Sequence, residues 1–365
     1  MQQLVTDDSD IERILALGRW APSGDNTQPW RFEVLSDTHF VVHGRDTRRT
    51  CVYDIDGSAS QLSLGMLLET LSVAAVSNGW AVSANLRPGE DPERPNLDVK
   101  LIREAGLPRD PLVDEIPRRS VQRRPLSTRS LQSAHVEALS AAIGDEHELL
   151  WLSAASSRLA VARLLYTSAR LRLVTPEAYV VHRDVIQWNA RFSADKIPDQ
   201  ALGVGRPLLM VMKFALASWE RVRFFNRFLA GTVAPRLAMD FIPGLACGAH
   251  FLVVARRPPS SIEDYIATGR RVQRLWLTAS ACGLQVQPEL TPLIFSKYAD
   301  QDRKFSIIEH ALPDARTVSN RLKSIWGIEN TDRAIFMGRI GYGEVATSRS
   351  VRLPLAKLIQ PNDGE

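Results

Sequence analysis

The loop Ala21-Pro22-Ser23-Gly24-Asp25-Asn26-Thr27-Gln28-Pro29-Trp30 joins a proline that fixes the chain to small residues that leave backbone amides open. Such a loop lets backbone approach the polar edge of a flat ligand; the plainer alternative is a helix-ending turn anchored by a core tryptophan. A second stretch, 117–129, holds five arginines around Ser120. A solvated basic loop and a nucleic-acid contact are two readings of it. A third is a phosphate site, because guanidinium forks and a hydroxyl suit a dianion that wants permanently charged, bidentate donors.

Rival chemistries find less support. His39 and His43 have a helical metal-ligand spacing, but Phe40-Val41-Val42 between them reads as a strand. The other histidines, His182 and His250 among them, stand alone, so no metal is expected. There is no Gly-x-Ser-x-Gly elbow, no phosphate-binding Walker loop and no Gly-x-Gly-x-x-Gly dinucleotide element.

These motifs need a scaffold, and 365 residues with 45% hydrophobic and 24% charged side chains supply a large core. Net charge is +4, from 45 basic and 41 acidic residues, so no general nucleic-acid affinity is expected. The start, Met1 to Asp8, has neither the charged entry nor the apolar core of a signal peptide, and no apolar run is read as long enough to span a membrane. A cytoplasmic protein is the expectation. Cys51, Cys247 and Cys282 are too few and too scattered for a disulfide framework and are read as buried thiols.

Apolar spacing predicts a first helix through Ile11, Ile14 and Leu15, a hairpin over 31–35 and 39–43, a long helix over 59–78 and strands near 80–86 and 97–102. Farther on it predicts helices near 131–143, 155–172 and 261–282, and strands at 148–152, 250–255 and 334–343. Residues 206–235 are the least regular, with aromatic and arginine residues interleaved. They read as a packed helix or a lid over a pocket, with a membrane-surface segment as the lesser alternative. The two long helices also match each other at an offset of 204 residues, pairing Gly65 with Gly269, Leu71 with Leu275, Ala75 with Ala279 and Gly79 with Gly283. A true repeat would make the chain a covalent pseudo-dimer; chance similarity of small-residue helices is the alternative.

The loop at 21–30 resembles the nitroreductase superfamily signature, Ala-Pro-Ser, a spacer, Asn, then Gln-Pro-Trp, without a gap. With Asp46, Arg49 and Asp54 following the hairpin, the chain is similar to the Acg-like branch, in which two nitroreductase-like units are fused. The resemblance implies an α+β, internally duplicated nitroreductase-like fold, with mixed β-sheets flanked by helices and long central helices at the pseudo-dimer interface. It divides the chain into a partial first half, 1–110, and a second half, 111–365. It implies FMN as cofactor, with Pro22, Ser23, Gly24 and Asn26 on the ring side. Arg118, Arg119 and Ser120, helped by Arg123, would hold the phosphate, as would Arg352 and, more weakly, Arg349. Gln287, Pro288 and Glu289 fall where family backbone approaches the flavin ring. The implied activity is an FMN-dependent oxidoreductase with NAD(P)H as electron donor and a small-molecule substrate; the alternative is an FMN storage protein. No nucleic-acid or membrane partner is expected, and the pseudo-dimer would stand alone or dimerise further.

Overall fold

A computed structural model describes residues 9–89 and 91–360, so the reading of the Met1–Asp8 start lies outside the described residues. Two four-stranded antiparallel sheets dominate. The first sheet orders its strands as Trp30–Ser36, His39–Gly44, Asn96–Arg103 and Trp80–Leu86; the second as His147–Leu152, Ala249–Ala255, Ala334–Tyr342 and Leu284–Pro288. Numbered along the chain, each sheet therefore runs first, second, fourth, third, with a long helix between its second and third strands.

Those two helices, Ser58–Val76 and Ile262–Ala281, pack against each other at the centre. The first is apolar on nearly every face because neighbours surround it, and this explains a further departure from the reading. Residues 55–76 are long and apolar enough to cross a membrane by length and composition, yet 83% of the most apolar window is buried inside the protein. Glycine sets the closeness of the crossing. A Cβ on Gly65 would lie 2.1 Å from the Ile266 carbonyl oxygen, and one on Gly269 would lie 2.2 Å from that of Leu62. The contact is reciprocal, since Leu62 and Ile266 are themselves paired by the offset of 204 residues.

One face of the first sheet buries Phe32, Phe40, Val42, Leu97 and Val99 against the first central helix and the helix Asp10–Gly18. Its outer face carries hydrogen-bonded pairs, His39 with Asp98 at 3.1 Å and His43 with Glu33 at 2.8 Å, which is where the two strand histidines find their partners. The second sheet is covered on both faces. Phe251, Val253 and Phe336 meet the second central helix, while Leu252, Val254 and Met337 meet Ala155–Val174, Thr291–Asp300 and Ala311–Trp326. Two-sided burial explains why Ala249–Val254 and Ile335–Ile340 are buried without interruption and are apolar except for His250 and Arg339.

The 206–235 segment is more regular than its sequence indicated. Arg206–Ala215 and Trp219–Phe228 form a helical hairpin, followed by a short turn at Val233–Arg236. Of the three cysteines only Cys247 is buried; Cys51 and Cys282 are partly exposed, which corrects the uniform reading. Finally the chain returns to its beginning, where Phe32 and Ile359 bridge in parallel and the Phe32 N–H donates to the Leu358 carbonyl at 2.7 Å.

Candidate functional site

That return brings 349–353 against the loop after the first helix. The loop turns through three left-handed residues, Asp25, Asn26 and Gln28, a conformation that Asp and Asn tolerate best among residues with a side chain. Local bonds hold it there: the Ser23 hydroxyl accepts the Gln28 N–H at 2.9 Å, and the Gln28 carboxamide oxygen accepts the Leu353 N–H at 2.9 Å. The Asn26 amide donates to the carbonyls of Val351 and Lys196, at 3.1 and 3.3 Å. Three distant segments are thus stitched into one wall. Pro22 is buried at its base, and Gly24 is exposed with open space where a Cβ would stand.

The arginine-rich stretch is laid along the edge of the second sheet. Val121 bridges Val286 in parallel, and the Gln122 N–H donates to the Val286 carbonyl at 3.1 Å. The buried Gln122 side chain anchors the loop by donating to the Glu344 carbonyl at 2.7 Å. This anchor splits the cluster. Arg119, before it, turns inward over the Trp276 ring at 4.6 Å and donates to the Trp20 carbonyl at 3.2 Å. Arg123, after it, points into a separate cleft near Asp25. Arg118, expected to grip a phosphate, joins neither; its side chain is 69% exposed and bonded to Glu115.

Around Arg119 lie Arg352, Arg349 and Arg19. Arg352 donates through Nε to the Ala21 carbonyl at 2.9 Å, and Arg19 donates to the Leu353 carbonyl at 2.9 Å. The guanidiniums of Arg349 and Arg19 each lie 5.2 Å from the Trp20 ring centre. Among the described residues no carboxylate is paired with any of these four arginines. Burial, then the charges of Arg352 and Arg349, pulls the Arg119 guanidinium well below its ordinary value; burial, Arg349 and Arg19 bring Arg352 down to about 9. The nest is thus a concentration of guanidinium groups held by carbonyls and aromatic faces, with no carboxylate paired to them among the described residues. The Nε atoms of Arg119 and Arg349 are buried without partners, as is the hydroxyl of Ser120, next in the chain to Arg119. Unpaired buried donors are costly, and an anion would satisfy them.

Beside the nest is a cleft of about 90 Å³, lined by Arg123, Arg172, Asp240, Gln287, Glu289 and Arg339 among others. Gln287, Pro288 and Glu289 therefore all face it. The Glu289 N–H, however, donates to the Met337 carbonyl at 2.8 Å and is not free for a ligand. Its carboxylate lies buried between His250 Nδ1, at 2.8 Å, and Arg339, at 3.0 Å. His250 does not stand alone, as its sequence setting implied. Its Nε2 faces the Gly244 carbonyl at 2.7 Å, so both ring nitrogens meet acceptors and the ring is an imidazolium. Burial opposes that charge, but Glu289 and Cys247 outweigh it and raise His250 to about 10. Glu289 is correspondingly held below the usual carboxylate range despite burial, by His250 and Arg339.

In the cleft wall Arg172 pairs with Asp240, and elsewhere the Tyr53 hydroxyl and His182 Nε2 share a hydrogen bond at 3.0 Å. Burial, then Arg172, lowers His182 to about 3, so that ring is neutral. Burial, then Asp25, pushes the Cys51 thiol up to about 12, which leaves it a poor nucleophile. Sequence reasoning missed Arg19, Trp20, Arg172, Asp240 and Arg339. Arg339 lies within the strand expected at 334–343, but Arg172 and Asp240 are 68 residues apart and share no pattern.

The loop that walls the nest lies within a stretch that matches a family model. The family model described as Nitroreductase family matches residues 3–46. A Mycobacterium tuberculosis protein provisionally named an NAD(P)H nitroreductase, found in two strains, is 29% identical over 310 residues, covering 81% of this chain and 80% of its own. Among solved structures, a nitroreductase-like family protein from Bacillus cereus is 14% identical with a TM-score of 0.35, spanning 69% of this chain and 96% of that one. An FMN-dependent nitroreductase from Mycobacterium smegmatis, solved in complex with NADPH, is 15% identical with a TM-score of 0.37, spanning 68% and 96%.

Proposed function

We propose that this chain is an FMN-dependent oxidoreductase of the nitroreductase type, using NAD(P)H to reduce a small organic substrate. The observation that carries the reading is the anion-deficient nest of Arg119, Arg349, Arg352 and Arg19 with the unpartnered Ser120 hydroxyl. These groups would hold the FMN phosphate, and the wall from Pro22 to Asn26 with Gln287 would border the ring. Asn26 Oδ1 and Gln287 Oε1 are both buried without a donor, as the acceptors for a ring N–H would be. FMN, when bound, supplies two-electron transfer between donor and substrate.

The chain's own part is position and charge. The cleft sets Arg123, Arg172, Arg339 and His250 near Asp25, Asp240 and Glu289, which leaves a positive surplus favourable to negative charge arriving there. Its present volume holds about three waters. A tricyclic ring would need more room than this cleft of about 90 Å³, which Leu202 and Met239 help to line.

The same reading takes the chain as a duplicated unit divided near residue 110. The identical strand order of the two sheets and the reciprocal glycine crossing support it. The second half then differs by carrying two helical insertions, 153–248 and 289–333, the first of which borders the cleft. A single composite site follows from one loop and one nest.

Purified protein is expected to show flavin absorbance in the visible, and anaerobic NADPH or NADH is expected to bleach it within seconds. A flavin that bleaches only with dithionite would count against turnover with a nicotinamide donor.

A further inference from the structure

We propose that the helical hairpin 206–229 docks this protein on an anionic phospholipid surface. Sequence reasoning expected its apolar residues to bury against the protein. Only Leu209 and Val222 are fully buried, Leu209 in a small cluster with Ile186, Ile197 and Leu202. Met212 and Leu216 pack partly against the same cluster, but six others point away: Met210 is 72% exposed, Phe228 63% and Phe214 54%, with Val211, Phe224 and Leu229 also exposed.

These side chains form one patch. Phe214 and Phe225 have ring centres 6.1 Å apart, Phe225 and Phe224 6.3 Å, and Phe224 and Phe228 5.2 Å. A patch of large aromatics left open to water normally marks an interaction surface. Its rim is basic, with Arg206, Lys213, Arg221, Arg223 and Arg227 all exposed and Glu220 the one acidic residue from 206 to 239. Arg221 lies 4.3 Å from the Phe214 ring centre and Arg227 5.3 Å from that of Phe228, so cationic heads flank the apolar surface.

Apolar insertion ringed by arginines is the chemistry of a helix lying in a bilayer interface, with rings among acyl chains and guanidiniums at phosphate depth. Charge complementarity chooses the occupant. A second copy docked face to face would set arginine against arginine with only Glu220 to offset it, whereas an anionic headgroup layer answers every cation. The inference stands on this hairpin alone and does not depend on FMN.

The test is co-sedimentation of the full-length protein with vesicles of phosphatidylglycerol and phosphatidylcholine, against pure phosphatidylcholine. Sedimentation with the anionic vesicles, weakened by salt and nearly absent on pure phosphatidylcholine, is expected. Phe224→Ser with Phe228→Ser, and separately Arg223→Glu with Arg227→Glu, are each expected to lower bound protein at least about tenfold. All four positions are exposed, so circular dichroism is expected to be unchanged. The proposal is overturned by failure of wild-type protein to sediment with anionic vesicles, or by undiminished binding of both variants. It is equally overturned by a wild-type dimer in light scattering that the phenylalanine variant converts to monomer, which would assign the face to a second copy.

Discussion

Replacing Arg352 with Met weakens FMN retention by roughly 30-fold to several thousand-fold while the flavin-free protein melts at the same temperature or slightly above. Truncating one partner of a buried charged pair costs about 2–5 kcal/mol, and that range sets the change in Kd. Methionine keeps most of the aliphatic stem and removes the charge. In the flavin-free protein Arg352 faces Arg349 and Arg19 with no carboxylate, so removing it relieves repulsion. That relief offsets the lost hydrogen bonds to the Ala21 and Val351 carbonyls. The two effects therefore have opposite sign, which a merely structural arginine would not produce. Equilibrium dialysis and thermal melting of both forms check it; unaltered FMN affinity would remove Arg352 from the site.

Glu289→Gln is expected to be among the most destabilising single changes in the chain. It leaves the His250 ring and Arg339 in the interior without their carboxylate, and breaking such a buried pair by removing one member costs about 3–5 kcal/mol. The pH dependence gives a sharper readout. His250 is raised in the folded protein, so its contribution is complete below its ordinary value of 6.5 and is lost as pH climbs towards about 10. Glu289 is lowered, so its contribution is present above its ordinary value of 4.5 and fades as pH falls below that. The gap in stability between wild type and variant is thus widest between pH 4.5 and 6.5 and narrows on the alkaline side. Urea titrations across that range measure it; a constant gap from pH 6 to 10 would mean His250 is not the charged partner.

Much of the architecture could be read in advance because it rests on local periodicity. The alternation through Phe32, Val34, Phe40 and Val42 gave the first hairpin, and the helical spacing of Leu64, Leu67, Leu68 and Leu71 gave the first central helix within a few residues. Gly65 and Gly269 were matched as a repeat before anything indicated that they touch. The helices Thr291–Asp300 and Ala311–Trp326 escaped notice, since their apolar faces cover only one side of a sheet and carry mixed polar residues.

At the candidate site, motif matching picked out stretches that the fold brings together, but not which way each side chain in them turns. Arg118 and Arg119 are adjacent, yet only one can turn inward once Gln122 pins the loop to the sheet edge. His250 and Glu289 are 39 residues apart and meet only because the strands carrying them flank a common neighbour, Ala334–Tyr342. The aromatic residues of 206–228 misled for a different reason. Burial is the usual fate of phenylalanine, and sequence does not say which face of an amphipathic hairpin is left outside.

Titrating flavin-free protein with FMN and with riboflavin tests the phosphate nest most directly, since the two ligands share a ring and differ only in the charged group. With four guanidiniums and a free hydroxyl waiting for a dianion, FMN is expected to bind at least about a hundredfold more tightly, a difference of about 2.7 kcal/mol or more. Equal affinities would mean that Arg119, Arg349, Arg352 and Arg19 meet no phosphate, and the proposed site would have to be abandoned.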